Sequence, residues 1–454
     1  MKHTAALLTC ALCTAFLAGA VYAQSDDELF GDDTVVEQNA AETPSTESGT
    51  GAQTSEKDSL AHGTIFQNGA VKVGGQFTMS MTTLTTFRDG ETFGDSLSNT
   101  ILSPVADGLF TIDARPSQNL RMFFKGGIHY PYMTETDAVT GKITMTTADV
   151  LSALQNKSSH TESEQQQLMQ NLFYVKELFA DFAIKDTAYF RFGKQTITWG
   201  TGYFFSPSSN TVNLSAIDPE DTTKQVEGPL ALRTQITFPG SQNCLWAYMI
   251  PDANLFTFNS ASYTYAKNTA FALRGDIVAG GWEFGAGGYY RNEHAPRGIF
   301  TASGTLFNKI AVFGEYVYAY GTETEWSKQS GWDGKTSVFQ ATAGGTYTWK
   351  EPQITFAAQY YYDGNGDDAF NKATHGHNAA GLVSFAKVFT TDITASMFGN
   401  VNFTEKTATA SAMLFYSPVT ELKLGAGPYV IWTSFDDKPQ AAVKLSAELV
   451  GGKF

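Results

Sequence analysis

Charged side chains recur at even spacings along several apolar segments of this 454-residue chain. Because side chains alternate between the two faces of a β-strand, charges an even number of residues apart lie on the same face. Opposed acids and bases on the wall of a water-filled space could order dipolar solutes and select ions, or they could pair and brace the wall. The candidate residues are Arg121, Lys125, Glu177, Asp181, Arg191, Arg233, Arg274, Asp276, Glu283, Arg291 and Glu315.

Two other patterns could bind metal ions, but both are incomplete. The segment 363–374 begins as a calcium loop does, with D-x-N-x-D, yet it lacks the glycine at the sixth position and the glutamate at the twelfth. His375 and His377 could ligate a transition metal only if a third ligand approached them. No G-x-S-x-G nucleophile motif, phosphate loop or dinucleotide fingerprint occurs. The sequence therefore predicts no catalytic residue, no bound cofactor and no metal, and we do not expect an enzyme.

Alternation of apolar and polar residues predicts the strands that would carry the charges. Between Val71 and Thr82, apolar residues at odd positions alternate with polar residues or glycine at even ones. This period of two is typical of a strand with one apolar and one polar face. The same pattern predicts strands near 70–88, 108–115, 118–130, 174–184, 187–199, 229–238, 244–250, 262–278, 281–291, 298–307, 309–320, 337–349, 353–362, 378–389, 392–404, 407–417, 420–433 and 441–453.

The connections between these strands alternate in length. Short turns such as 185–186 and 279–280 occur at every second connection, and most of the connections between them are long, such as 131–173 and 200–228. Short turns on one side and long loops on the other are typical of transmembrane β-barrels, whereas a soluble sandwich has no reason to segregate them. Lipid offers no partner for an unpaired backbone group, so such a sheet must close. We expect an all-β, antiparallel transmembrane β-barrel of about 16–18 strands, with 14 also possible.

Composition agrees with a barrel and excludes other classes. Aromatic residues reach 13%, charged residues only 17%, and Gly numbers 42. The net charge of −15 argues against nucleic acid as a partner. Apart from the N-terminus, no apolar run approaches the roughly 20 residues of a membrane helix. Aromatic residues near strand ends are expected to lie at the membrane interfaces: Tyr130, Trp199, Tyr320, Trp349, Tyr362 and Trp432.

The N-terminal region is expected to direct export. Residues 1–23 combine a short basic start, an apolar run and a small-residue site ending at Ala23, as a cleavable signal peptide does. Residues 24–62 hold ten acids and one base and should be disordered, which leaves 63–454 for the barrel. Beyond the signal only Cys244 remains, so no intrachain disulfide is expected.

One segment resembles a known family. Arg191–Gly200 reads R-x-G-K-Q-x-x-x-W-G and is similar to a strand-and-loop segment of large bacterial outer-membrane porin-like barrels. The resemblance continues weakly through Asn213, Asp218-Pro219 and Glu227-Gly228-Pro229. The terminal Phe454 resembles the signature read by the barrel-assembly machinery, although the alternation before it departs from that pattern. The resemblance implies a membrane channel, in which the loop after this strand could fold inward and narrow the pore.

These observations together predict an outer-membrane channel for passive diffusion of small hydrophilic solutes. Two alternatives stay open: a transporter of hydrophobic molecules such as fatty acids, and a surface adhesin or antigen barrel whose long loops do the work. The expected partners are the lipid bilayer of the outer membrane, the barrel-assembly machinery and small solutes. Nucleic acid is not expected, and an oligomer is possible although no residue marks a subunit face.

Overall fold

The structure is a computed structural model in which the chain closes into an antiparallel barrel. It describes residues 66–68, 70–88, 90–98, 100–130, 173–185, 187–220, 222, 226–251, 266–327, 335–364 and 376–453. The expected signal peptide, the acidic segment 24–62 and almost all of loop 131–173 lie outside these residues. No helix among the described residues is long and apolar enough to cross a membrane.

Nineteen strands are present in the described part of the chain. They are β1 (Phe66–Asn68), β2 (Val71–Phe87), β3 (Ile101–Ser117), β4 (Leu120–Tyr130), β5 (Phe173–Ile184), β6 (Ala188–Lys194), β7 (Leu230–Thr237), β8 (Cys244–Ile250), β9 (Ala270–Ala279), β10 (Trp282–Tyr290), β11 (Arg297–Leu306), β12 (Ile310–Tyr320), β13 (Ser337–Trp349), β14 (Ile354–Asp363), β15 (Gly376–Phe385), β16 (Ile393–Asn402), β17 (Thr407–Val419), β18 (Leu422–Trp432) and β19 (Gln440–Lys453). Three short helices, α1 (Phe93–Ser98), α2 (Pro207–Val212) and α3 (Glu323–Ser327), lie in the connections, as does a 3₁₀ turn at Ala266–Asn268.

Eighteen of these strands form a closed ring. Each strand from β2 onward pairs antiparallel with the next, and β19 pairs back onto β2. The short β1 pairs with β2 alone, alongside Val71–Val73, beyond the point where Lys453 of β19 faces Gln76. The closed antiparallel barrel expected from the sequence is therefore confirmed, with eighteen strands. Every strand in the ring is hydrogen-bonded to a neighbour on both sides, so the sheet has no unpaired edge exposed to a membrane.

The two ends of the barrel differ as the sequence predicts. Tight turns join β3 to β4, β9 to β10 and β17 to β18, and the second of these uses Gly280 and Gly281, both with positive φ. Glycine is favoured there because two successive positive-φ residues match the twist of a two-residue hairpin. The opposite end carries the longer connections, among them 195–229 and 321–336. The long segment that follows β6 therefore begins at the long-loop end.

The outer face of the ring is apolar. Phe77, Met79 and Met81 of β2 are each 45% exposed, and the even-numbered residues between them lie on the other face. Aromatic side chains lie toward the ends of the outer face, such as Trp349 near the short turns and Tyr318 near the long loops. An apolar band flanked by aromatic residues is what a lipid-facing barrel wall presents.

Neighbouring residues of β2 test this assignment of faces. Replacing Met79 with arginine puts a charge on the outer face, near the middle of the strand, and should destabilise the membrane-embedded barrel by about 2–4 kcal/mol. The matched variant Ser80→Arg puts the same charge on the inner face and should cost much less. Urea unfolding of the barrel in lipid vesicles measures both. Equal losses of stability in the two variants would show that the faces are assigned wrongly.

Four strand boundaries differ clearly from the sequence prediction. β3 begins at Ile101 rather than near 108, and β6 ends at Lys194 rather than near Trp199. β9 begins at Ala270 rather than near 262, and β15 ends at Phe385 rather than near 389. In β6 the cause is Gly193, whose φ of 140° is a conformation that L side chains rarely adopt. A Cβ at this position would also collide with the backbone of Leu178. The chain therefore leaves the wall after Lys194, before the strand reaches its expected end.

Candidate functional site

The described residues of the segment 195–229, which are 195–220, 222 and 226–229, fold into the interior of the barrel, and the two ends of the segment are fastened together where it leaves the wall. Lys194 forms a salt bridge with Glu227, and the backbone N–H of Gln195 donates to the carbonyl of Pro229 at 3.1 Å. The Gln195 side chain is fully buried and donates to the carbonyl of Ala231 at 3.0 Å. Only glycine fits at position 228, because a Cβ there would meet the Gln195 carbonyl. We call this segment the inner loop.

The inner loop is held together by its own polar side chains. Ser206 caps helix α2, and its hydroxyl accepts from the backbone N–H of Ser209. Asn213 bonds both backbone groups of Ile197, with its amide oxygen accepting at 2.9 Å and its amide nitrogen donating at 2.6 Å. The Ser209 hydroxyl accepts from the backbone N–H groups of Trp199 and Gly200. These bonds give the loop a fixed shape without strands or long helices.

A single carboxylate anchors this loop to the far wall. Glu315 on β12 is 3% exposed and accepts from the backbone N–H groups of Thr201, Gly202 and Ser208 at 2.7, 2.6 and 3.0 Å. It also accepts from the Ser206 hydroxyl at 3.0 Å. Hydrogen bonds to an ionised acceptor are worth about 1.5–3 kcal/mol each. Glu315 is therefore a strong contact between the inner loop and the barrel wall.

An amide on the next strand but one adds a second anchor. The Gln359 side-chain oxygen accepts from the backbone N–H of Phe204 at 2.7 Å, and its nitrogen donates to the carbonyl of Phe205 at 2.6 Å. Phe204 is 1% exposed and packs against Ala357, Ala380 and the partly buried Phe398. The tip of the inner loop is thus bound to β14 and packed on β15 and β16.

The inner loop reaches almost across the barrel. Beyond α2, the Glu220 carboxylate accepts from the hydroxyls of Thr409 on β17 and Tyr429 on β18, at 3.1 and 2.8 Å. β18 and β17 lie six and seven steps from β6 around the eighteen-stranded ring by the shorter path, since β19 closes on β2. A loop that leaves the wall at β6 and contacts β17 and β18 crosses the lumen and divides it.

A guanidinium group supports the first part of the loop. Arg274 of β9 is 6% exposed, donates to the carbonyl of Trp199, and bonds the Asp276 carboxylate at 2.6 Å and the Thr301 hydroxyl at 3.3 Å. The Trp199 ring contacts the Tyr248 ring edge to face, with the ring centroids 5.4 Å apart. Trp199 is 1% exposed and belongs to an interior cluster, so the prediction that it lies at the membrane interface is wrong.

The strand register places ten of the eleven charged candidates on the inner side of the wall, and the eleventh, Arg291, lies just beyond the end of β10. Arg121 and Lys125 on β4 face Asp181 and Glu177 on β5, and Glu315 faces Thr301 on β11 and Thr342 on β13. The full set, by strand, is Arg121 and Lys125 on β4, Glu177 and Asp181 on β5, Arg191 on β6, Arg233 on β7, Arg274 and Asp276 on β9, Glu283 on β10, Arg291 one residue after the end of β10, and Glu315 on β12.

Several of these charges are paired along the wall of β3–β6. The Asp113 carboxylate lies 3.0 Å from Arg121, which also approaches Asp181 at 3.8 Å, and Arg191 binds Asp181 at 2.6 Å. Phe179 lies between the two arginines, and the guanidinium of Arg191 is 3.9 Å from its ring centroid. These ion pairs brace the wall, which is one of the two roles that the sequence left open for the charged residues. Their basic and acidic groups still line the inner side.

Sequence reasoning missed most of the residues that hold the inner loop. Gln359, Ser206, Ser209 and Glu220 carry no motif, because their partners are distant in sequence or are backbone groups. Asn213 lies in the part of the chain where the resemblance stated above is weak. Parity placed Glu315 on the inner face but could not reveal that its partner is a loop more than 100 residues earlier.

Comparison with protein-family models finds no match, and comparison with curated proteins finds none either. Solved structures of similar shape include a Rhodopseudomonas blastica porin triple mutant (10% identity, TM-score 0.41, covering 83% of this chain and 99% of that one). Pseudomonas aeruginosa OpdQ has 9% identity and a TM-score of 0.45 over 83% of this chain and 97% of that one. Salmonella typhi OmpF, solved in complex with daunomycin, has 9% identity and a TM-score of 0.43 over 85% and 99%.

Proposed function

We propose that this chain is an outer-membrane channel for the passive diffusion of small hydrophilic solutes, narrowed by the inner loop. The observation that carries the proposal is the path of residues 195–229 across the inside of a closed barrel whose outer face is apolar. An apolar exterior suits a bilayer, and a ring of eighteen strands is wide enough to enclose an aqueous channel. A loop fixed across it reduces the free cross-section and sets the size of solute that passes.

The wall that faces the unobstructed part of the lumen is polar. The inner residues of β2 include Gln76, Thr78, Ser80 and Thr82, and next to them lie the acids and bases of β3–β5. Such a lining favours water and hydrophilic solutes over fatty acids. We infer that Arg121, Lys125, Glu177, Asp181, Arg191, Arg233, Glu283 and Arg291 line the path of the solute. Arg274, Asp276 and Glu315 instead position the inner loop.

The proposal extends to the route by which the chain reaches the membrane. We propose export through a signal peptide cleaved near Ala23, followed by insertion by the barrel-assembly machinery. The barrel of 63–454 would then carry the acidic segment 24–62 at its N-terminal end, on the side of the short turns.

Ion currents across a planar bilayer test the proposal. Purified chain refolded in detergent is expected to produce stepwise increases in conductance. A bilayer that stays sealed, although the protein has inserted as a folded barrel, would overturn the channel function.

Reversing one lining charge should change ion selectivity. Lys125→Glu replaces a base with an acid on the inner face of β4, and cations should then be attracted to the lumen more strongly. The reversal potential in a salt gradient is expected to shift toward that of a cation-selective channel. The control is Lys309→Glu, the same reversal in a short turn outside the lumen, for which we expect little shift. Equal shifts in both variants would remove Lys125 from the proposed lining.

A further inference from the structure

A cavity of about 180 Å³ lies between the inner loop and the wall formed by β15–β19. Tyr203, Phe204 and Glu220 contribute from the loop, and every wall residue that lines the cavity belongs to the inner face by register. Drug-sized ligands occupy pockets of roughly 300–1,000 Å³, so this cavity suits a smaller solute with a single ring. It lies beside the path that the proposed function assigns to solutes.

One side of this cavity is aromatic. Phe204 and Phe398 lie with their ring centroids 5.9 Å apart at 54°, and Tyr203 meets Phe204 edge to face at 4.7 Å. Phe415 and the buried Met413 continue this side along β17. Aromatic pairs prefer tilted or offset contacts and gain about 0.5–1.5 kcal/mol beyond the burial of area. A planar ring entering here would meet aromatic partners.

The other side carries one acid and one base. The Glu220 carboxylate accepts from the Tyr429 hydroxyl at 2.8 Å, while the Lys444 ammonium lies 5.8 Å from the centroid of the same tyrosine ring. Both charged groups therefore lie close to the same tyrosine side chain. Both groups line the cavity. A solute with its own ammonium and carboxylate could contact both.

We propose that this cavity is a binding site for aromatic α-amino acids in passage through the channel. The solute carboxylate faces Lys444, its ammonium faces Glu220, and its ring packs against Phe398 and Tyr203. The inference rests on the proposed channel function and adds a preferred substrate class to it. A zwitterion is favoured because each of its charges meets an opposite one, whereas a ring with a single charge leaves either Glu220 or Lys444 without a partner in the solute.

Blockade of ion current measures this preference in the full refolded chain. L-phenylalanine is expected to reduce the current with a saturable dependence on concentration. Phenethylamine lacks the carboxylate and 3-phenylpropionate lacks the ammonium, so each should need at least about tenfold more solute for the same reduction, which corresponds to 1.4 kcal/mol. Glycine keeps both charges without the ring and should have a similarly weak effect.

Substitutions in the cavity should change the preference in opposite directions. Glu220→Gln is expected to make 3-phenylpropionate as effective as L-phenylalanine, and Lys444→Met is expected to do the same for phenethylamine. Lys309→Met, which removes a base from the short turn between β11 and β12 outside the lumen, should leave the order of the four solutes unchanged. The heat-dependent shift in electrophoretic mobility of folded barrels verifies that each variant has folded.

Two failures are distinguishable. A conducting channel that L-phenylalanine blocks no better than glycine does would overturn the aromatic site and leave the channel function in place. A folded, inserted chain without any current would contradict the channel function itself. The comparison of solutes on the unchanged chain needs no variant, so it decides the proposal even if Glu220→Gln or Lys444→Met does not fold.

Discussion

Replacing Glu315 with alanine is expected to widen the channel. The substitution removes the acceptor of three backbone N–H groups and one hydroxyl, all contributed by the inner loop. Each buried donor left without a partner costs about 1–3 kcal/mol, and the loop can avoid that cost only by leaving the wall. Single-channel conductance should therefore rise and become noisier, and larger neutral polymers should enter the pore.

A matched variant separates this effect from the loss of a charge. Glu177→Ala also removes one inner-face acid, but on β5, and no contact of Glu177 with the inner loop is present among the described residues. Its conductance should stay near that of the unchanged chain, with a small change in ion selectivity. If Glu315→Ala and Glu177→Ala behaved alike, the carboxylate of Glu315 would not be holding the loop.

Replacing Arg274 with methionine is expected to destabilise the barrel strongly. The Arg274 guanidinium compensates the charge of Asp276, and both side chains are about nine-tenths buried. Removing one partner of a buried ion pair typically costs about 3–5 kcal/mol, because the remaining charge has lost its compensation. Trp246 still donates to Asp276 at 2.7 Å, which offsets part of the loss. The midpoint of urea unfolding should fall accordingly.

A second variant tests the cause assigned to that loss. Arg274→Met combined with Asp276→Leu removes both charges and should recover part of the stability lost in the single variant, because no uncompensated charge remains. The carbonyl of Trp199 still lacks its donor, so recovery should be incomplete. A double variant less stable than Arg274→Met alone would show that the ion pair is not the source of the effect.

The strands could be predicted from the sequence because their signal is local. A period of two follows from the pleat, and the alternation of short and long connections follows from the two sides of a membrane. Charged residues such as Lys125 and Asp276 could be assigned to the inner face by parity alone. The strand number became definite only in the structure, since closure depends on pairings such as that of β19 with β2.

The interior could not be predicted in the same way. Parity loses its meaning once the chain leaves the wall at Gly193, so nothing local distinguishes Trp199 inside the barrel from a tryptophan at the membrane interface. Gln359 and Glu220 act through partners 155 and 189 residues away, which no spacing rule relates to them. The cavity beside Tyr429 arises from the same long-range contacts and has no signature in the sequence.

Single-channel conductance with and without the tip of the inner loop measures whether residues 195–229 narrow a water-filled channel. A variant in which residues 203–222 are replaced by a short glycine–serine linker removes the contacts with β14–β18 and keeps the fastened base at Lys194 and Glu227. Both chains should conduct, with higher single-channel conductance and entry of larger neutral polymers in the shortened chain. Equal conductance and equal polymer entry in the two folded proteins would show that the inner loop does not narrow the channel.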